Sequence, residues 1–542
     1  MQPSVADVVG ATVAAQGVEE AFGVIGSGNL VVTNALRRNG AQFHHARHEN
    51  GAVCMADGYA RVSGRVGACS VHQGPGLTNA ITGIAEAAKS RTPLLVLAGE
   101  TPAAALDSNF RIDQHDLVES VGAIADRVHG PDTAADDAQR AYERAQAERR
   151  PVVLMLPIDI QAQRAFQLEP SSRASPPPAR PYPEPAALER ARAFIANAQR
   201  PAIIAGRGAV LSGAGPALQA LGERIGAILA TSAPAHGLFA QQPFNVGIAG
   251  GFASPVAAEL IQTADLVIAA GASLNPWTTK HGALIAPTAS VIRIDLEPKR
   301  ADLQLLADAR AAAEALTRVL SQPRTGFRTP DTRQRIATGA WRNEPYEDAG
   351  TDTWVDPRSL TKALNELLPR DRAVAVDSGH FLGYPAMYLD VPNPRAWVFP
   401  NGFQAVGLGL GNAIGAAIAA PHRPTVAALG DGGAFMALAE LETAVRLKLM
   451  LLALIYDDAA YGAEVHHFEP IGHDVSLVRF PDADLAGIAR AAGARAATVR
   501  TTTDLEPIVE EWLINPPGPL VLDAKVNPTI CAEWLEEAFR AG

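Results

Sequence analysis

Three blocks of the 542-residue chain repeat one pattern, in which short apolar or β-branched runs alternate with Ala-rich stretches of helical period. VGACSV (66–71) and PLLVLAG (93–99) carry it in the first block, and PAIIAG (201–206), ADLVIAAG (264–271) and SVIRID (290–295) in the second. AVAVDSG (373–379), TVAALGDG (425–432) and LLALIYDD (451–458) carry it in the third. Continuous apolar runs mark strands buried on both faces, and their alternation with helices predicts parallel sheets covered by helices. The fold class expected is α/β, with three doubly wound parallel-sheet domains. Boundaries fall at the prolines and polar stretches: a first domain over 1–170, the Pro-rich linker SSRASPPPARPYPEP over 171–185, and a middle domain over 186–325. A second linker spans 326–353 and a C-terminal domain 354–542.

Composition narrows the function classes. With 48% hydrophobic and 19% charged residues the chain can bury large cores. A net charge of -11 argues against nucleic acid or an anionic membrane surface as partner, so an anionic substrate would need a local positive centre. Cys54, Cys69 and Cys531 lack CxxC spacing, which leaves neither a disulfide framework nor a zinc site and points to the cytoplasm. The start, MQPSVADVVG, has no basic region ahead of an apolar one and so reads as no secretory signal. Residues 402–420, GFQAVGLGLGNAIGAAIAA, approach spanning length but consist largely of Gly and Ala, and are expected as a closely packed buried helix. FGVIGSGNL (22–30) and AGRGAV (205–210) follow strand-like runs without completing a GxGxxG fingerprint, so a nicotinamide site is not expected.

The chemistry concentrates in GDGGAFMALAELETAVRLKLMLLALIYDDAAYG, 430–462. Two successive strands deliver Asp431 and then Asp457 and Asp458 to one edge of a sheet. A phosphate brought to such a turn would be repelled unless a divalent cation lay between, and Mg²⁺ takes one or two carboxylates and fills its other positions with carbonyl, water and phosphate oxygens. Helix capping by Asp431 and an Asx turn at 457–458 are the structural alternative.

This stretch resembles the metal and diphosphate motif of the thiamine-diphosphate-dependent enzymes, with Asp-Asp where that family carries Asn-Asn. The segment 47–67, RHENGAVCMADGYARVSGRVG, is similar to the one that bears the family's catalytic glutamate, and HQGPGLTNAITGIAEA, 72–87, to the turn and helix beside the pyrimidine ring. The match spans all three blocks, in the order pyrimidine-binding, middle and diphosphate-binding, and resembles the acetolactate synthase-like branch; sulfoacetaldehyde acetyltransferases and 2-oxo acid decarboxylases are also similar. The resemblance implies a lyase or transferase that decarboxylates a 2-oxo acid with carboligation, or else a simple decarboxylase or aldehyde lyase. It implies thiamine diphosphate and Mg²⁺ as cofactors, and FAD is a further candidate for the middle domain without a motif of its own.

Residue by residue, the same resemblance makes Glu49 the carboxyl that drives the aminopyrimidine to its imino tautomer, with Glu464 and His72 as proton-transfer candidates. Asp431, Asp458 and the Ala460 carbonyl become the metal ligands. Gly74, Pro75, Asn79, His380, Val406, Gly430, Gly432 and Gly433 join the cofactor site, Val406 as the support of a bent cofactor, and Asp113 and His115 fall where carboligases face substrate. The family's architecture further implies a homodimer or homotetramer with active sites between subunits. The Gly/Ala-rich helices near residues 80 and 410 are expected to serve that interface. A non-catalytic cofactor-binding homologue is the alternative of another class, against which the retained Glu49 speaks.

Overall fold

A computed structural model of the chain describes residues 2–165, 180–320, 322–515 and 518–540, so residues 171–179 of the Pro-rich linker lie outside the described residues. The three blocks form three six-stranded sheets with every strand pair parallel. The first holds β1 (Glu20–Gly23), β2 (Gln42–His45), β3 (Gly67–Val71), β4 (Leu94–Glu100), β5 (Ile124–Arg127) and β6 (Pro151–Pro157) in the order β2-β1-β3-β4-β6-β5. The second holds β7 (Pro201–Ala205), β8 (Ile228–Thr231), β9 (Asn245–Ile248), β10 (Leu266–Ala270), β11 (Ser290–Asp295) and β12 (Leu303–Leu306), ordered β12-β11-β10-β7-β8-β9. The third holds β13 (Ala373–Val376), β14 (Trp397–Val398), β15 (Thr425–Gly430), β16 (Leu451–Asp457), β17 (Arg495–Val499) and β18 (Leu520–Lys525), ordered β14-β13-β15-β16-β18-β17.

The chain leaves β1 and β3, β7 and β10, and β13 and β15 toward opposite sides of their sheets, and the crevice outside the carboxyl ends at such a point is where open α/β sheets take ligands. The apolar runs explain the layering. Leu94–Gly99, Pro201–Ala205 and Leu451–Asp457 are buried throughout, so helices cover both faces, and each Val, Leu or Ile so buried contributes about 1.5–3 kcal/mol.

The expected buried helix over 402–420 is shorter than the reading of the sequence. It runs Gly409–Ala419, and residues 402–408 form a loop in which Gln404 has φ 59° and Gly407 φ 89°, left-handed conformations that a helix cannot continue. Its small residues have a use inside the chain: it packs on helix Glu49–Ser63, joining the first unit to the third. A Cβ on Gly58 would lie 2.1 Å from the Asn412 carbonyl oxygen, and one on Gly415 would lie 1.9 Å from that of Met55, so neither position tolerates a side chain. The close approach at residue 410 is made inside this chain. A buried ionic cluster reinforces the junction. Arg61 pairs with Asp57 and Glu86, while Glu86 accepts from the Gly402 and Phe403 amides at 3.2 and 2.7 Å. Within 326–353, read as a linker, residues Pro330–Thr338 are helical. No helix among the described residues is long and apolar enough to cross a membrane.

Candidate active site

The register between β15 and β16 decides where the acids go. Gly430 stands opposite Tyr456, so both strands end together and release Asp431 on one side and Asp457 and Asp458 on the other at the same edge. A cavity of about 1340 Å³ opens there, lined by Ser378, Gly379 and His380 after β13, by Gly430–Gly433 after β15, and by Asp458 and residues 460–464 after β16. Val406 reaches the same cavity from the 402–408 loop.

Asp431 begins helix Asp431–Met436 and is buried; burial, then the neighbouring Asp458 and Asp457, push its pKa up to about 8. Burial pushes Asp458 up to about 7, and its Oδ1 accepts from the Ala460 amide at 3.2 Å. Neither acid forms a salt bridge among the described residues. Nor do the described residues gather three or more His, Cys, Asp or Glu side chains into a metal-holding group; the side-chain oxygens on offer to a cation here are those of two aspartates. Asp457 has a different occupation. Its Oδ2 accepts from Lys525 Nζ at 2.6 Å, and that ammonium also reaches Asp482 and Asp523, so the first member of the Asp-Asp pair belongs to a buried ion cluster.

Side chains of the site pack directly against the glycines of these turns. A Cβ on Gly433 would sit 2.5 Å from Asp377 Oδ2 and 3.3 Å from Val406, and one on Gly462 would sit 2.3 Å from Asp458 Oδ2. His380 Nε2 accepts from the Ala532 amide at 2.9 Å, which assigns the proton of the neutral ring to Nδ1, and burial pushes its pKa down to about 3. Glu464 lies in the first turn of helix Gly462–Phe468 and lines the cavity.

The N-terminal candidates gather elsewhere, at the first sheet. Glu49 begins helix Glu49–Ser63, half-buried, and its Oε2 accepts from Asn79 Nδ2 at 3.0 Å. Gly74 caps helix Pro75–Lys89 with φ 60°, and a Cβ on Gly76 would lie 3.5 Å from Glu49 Oε1, which keeps the turn against the glutamate. His72 Nδ1 lies 2.8 Å from the Gln73 carbonyl oxygen, its Nε2 faces Ser27 Oγ at 3.3 Å, and Phe110 packs edge-on against it. Asp113 caps helix Gln114–Ser120, and His115 is exposed beside Asp116 and Glu119. Within one chain, Glu49, His72, Gly74, Pro75 and Asn79 do not line the cavity that holds Asp431 and Asp458. The cavity's far wall, between the first and middle units, mixes cations with acids: Lys89, Arg91, Arg149, Arg180, Arg207 and Lys299 stand beside Glu148, Asp295 and Asp308, with Arg91 paired to Glu297, Arg180 3.8 Å from Asp308 and Lys299 3.4 Å from Asp295.

Three residues escaped the sequence reading. Gln114 Oε1 accepts from the Gly74 amide at 2.8 Å and so pins the Gly-Pro-Gly turn. Lys525 ends the apolar run LVLDAK, where paired charges in a buried strand were the signal available. Asp377 in AVAVDSG accepts several amide hydrogen bonds beneath the cavity.

Three doubly wound sheets, with acids at the ends of β15 and β16 beside the third sheet's switch point, define an α/β protein with a cavity at the strand ends. The chain belongs to the thiamine pyrophosphate enzyme family: the N-terminal TPP binding domain matches residues 3–121, the central domain 188–316 and the C-terminal TPP binding domain 377–524. It is similar to the sulfoacetaldehyde acetyltransferase of Alcaligenes xylosoxydans xylosoxydans, with 30% identity over 94% of this chain and 90% of the relative. A probable 2-ketoarginine decarboxylase of Pseudomonas aeruginosa is 32% identical over 91% of this chain and 88% of its own. The acetolactate synthase isozyme 3 large subunit of Escherichia coli is 30% identical over 81% and 79%. The protein is thus a thiamine-pyrophosphate-type enzyme whose relatives include transferases and decarboxylases.

Proposed function

We propose that the chain is a thiamine-diphosphate- and Mg²⁺-dependent enzyme that decarboxylates a 2-oxo acid and transfers the remaining fragment to a carbonyl acceptor, in the manner of acetolactate synthases. The observation that carries the proposal is the pair of carboxylates, Asp431 buried and Asp458 half-buried, that line one edge of the cavity without a salt-bridge partner among the described residues. Burial favours protonation over charge in both acids, the charges of Asp458 and Asp457 add to that at Asp431, and a divalent cation would relieve both costs. In this reading Asp431, Asp458 and the Ala460 carbonyl hold Mg²⁺. Gly430, Gly432, Gly433 and His380 approach the diphosphate, His380 as an Nδ1–H donor.

When bound, thiamine diphosphate supplies an acidic C2 position and an electron sink for the bond broken as CO₂ leaves. Glu49 holds a proton at the pyrimidine nitrogen opposite the 4'-amino group, with Asn79 fixing its carboxyl through Oε2. Val406, which lines the cavity, would support the cofactor from below, and Gly74 and Pro75 would hold its pyrimidine side.

Because the Glu49 group does not line the cavity of its own chain, we assign it to the cavity of a second copy, in a homodimer or homotetramer. Two surfaces support that assignment. Phe403, Val406, Phe435, Met436, Tyr461 and Phe480 are exposed in the single chain, and helix Pro75–Lys89 leaves Pro75, Thr78, Asn79 and Thr82 uncovered. Cytoplasmic residence completes the proposal, supported by free cysteines, of which Cys54 and Cys69 are buried.

Simple decarboxylation is the second reading, favoured by the presence of Glu464 in the cavity, where a general acid would protonate the product rather than leave it to an acceptor. The experiment is to supply thiamine diphosphate, Mg²⁺ and a panel of 2-oxo acids, with and without aldehyde or 2-oxo acid acceptors, and to follow CO₂ and products. Coupled products support transfer, aldehyde alone supports the second reading, and no CO₂ from any 2-oxo acid refutes both.

A further inference from the structure

We infer that Asp377 is a positioning residue, a buried anion that anchors the loop carrying Val406 and so sets the support beneath the bent cofactor. The inference rests on the role proposed above for Val406. Asp377 directly follows β13, where its own amide donates to the Ala428 carbonyl at 2.9 Å and fixes it against β15. Its carboxylate is buried, and no cation forms a salt bridge with it among the described residues. Burial pushes its pKa up to about 6, and amides offset part of that cost. Ser378 donates to Oδ1 at 2.8 Å, Gly407 donates to both oxygens at 3.0 Å, and Leu408 donates to Oδ1 at 3.2 Å. Gly407 and Leu408 follow Val406 directly, and Gly407 takes φ 89°, so the bend that presents Val406 is held from below by one carboxylate.

The other face of that carboxylate meets the turn of the paired aspartates. A Cβ on Gly433 would lie 2.5 Å from Asp377 Oδ2 and 3.3 Å from Val406, so Asp377, Val406 and the Gly-Asp-Gly-Gly turn share one contact. An ionised carboxyl is a costly way to fill space beneath a loop, and an apolar residue would pack there without that cost. What the anion adds is an acceptor for several amides at once, with charge-assisted hydrogen bonds that fix where the loop sits relative to the turn.

The test uses the full chain with Asp377→Asn and Asp377→Ala, each alone and combined with Val406→Ala. Amide hydrogen exchange of the cofactor-free protein, read by mass spectrometry over peptides covering 400–410, should accelerate about tenfold or more, the order expected when a charge-assisted hydrogen bond is lost. Peptides from β13 and β15 should keep their protection. With thiamine diphosphate and Mg²⁺ bound, exchange of the cofactor's C2 proton should slow in Asp377→Asn, Asp377→Ala and Val406→Ala. The double variants should be no slower than the slower single, because both changes remove the same support. Unchanged protection at 400–410, or protection lost equally throughout the third sheet, overturns the inference, as does failure of both Asp377 variants to fold. If Val406→Ala exchanges C2 at the wild-type rate, the proposed role of Val406 fails while the loop-protection result still judges the anchor.

Discussion

Replacing Asp458 with Asn tests the metal site through its protons. Burial, with the charges of acidic neighbours, pushes Asp431 up to about 8 and Asp458 up to about 7. Raised folded-state values mean that the stability these groups contribute is fully present below the ordinary carboxyl range and is lost as pH rises through 7 and 8. A divalent cation binds the ionised forms, so its uptake releases about two protons near pH 6, about one between 7 and 8, and few above. Below pH 7 the affinity for Mg²⁺ with cofactor should therefore rise about a hundredfold per pH unit in the wild type. Asp458→Asn removes one titrating group and the largest of the neighbouring charges on Asp431, while keeping an oxygen ligand. The variant should still bind, release about one proton fewer, and show a dependence of about tenfold or less per unit. Calorimetric titrations near pH 6, 7 and 8, in two buffers of different ionisation enthalpy, measure both quantities. Equal proton release by the two proteins, or release by neither, would refute the reasoning and leave Asp458 with the turn hydrogen bond it makes to the Ala460 amide.

Glu464→Gln should slow product formation about a hundredfold or more and leave cofactor affinity nearly unchanged, because a general acid acts late; steady-state and single-turnover kinetics separate the two effects. Lys525→Met should cost about 3–5 kcal/mol in urea unfolding, since Asp457 and Asp523 would stay buried without their cation.

The fold was legible because its signal is periodic and local. Runs such as PAIIAG and LLALIYDD became β7 and β16, and the glycines and acids at their ends fell at strand ends as parallel-sheet logic requires. Helix ends were less legible: the apolar composition of 402–420 carries no mark of where the chain turns left-handed, and only the geometry at Gln404 and Gly407 starts the helix at Gly409. The same limit hid the partners of charged groups. Asp457 and Asp458 are adjacent in sequence, yet one faces Lys525, which sits 68 residues further along the chain, and the other faces the cavity. Asp377 reads as an ordinary strand-end residue until folding brings the Gly407 and Leu408 amides, about 30 residues away, onto its oxygens.

The most direct measurement is the exchange of the C2 proton of bound thiamine diphosphate for deuterium in wild-type protein and in Glu49→Gln. The account predicts fast exchange in the wild type and exchange slower by orders of magnitude in the variant, with Mg²⁺ and cofactor still bound, because an amide cannot share the proton that the carboxyl holds. Wild-type exchange rates in Glu49→Gln, with cofactor fully bound, would contradict it.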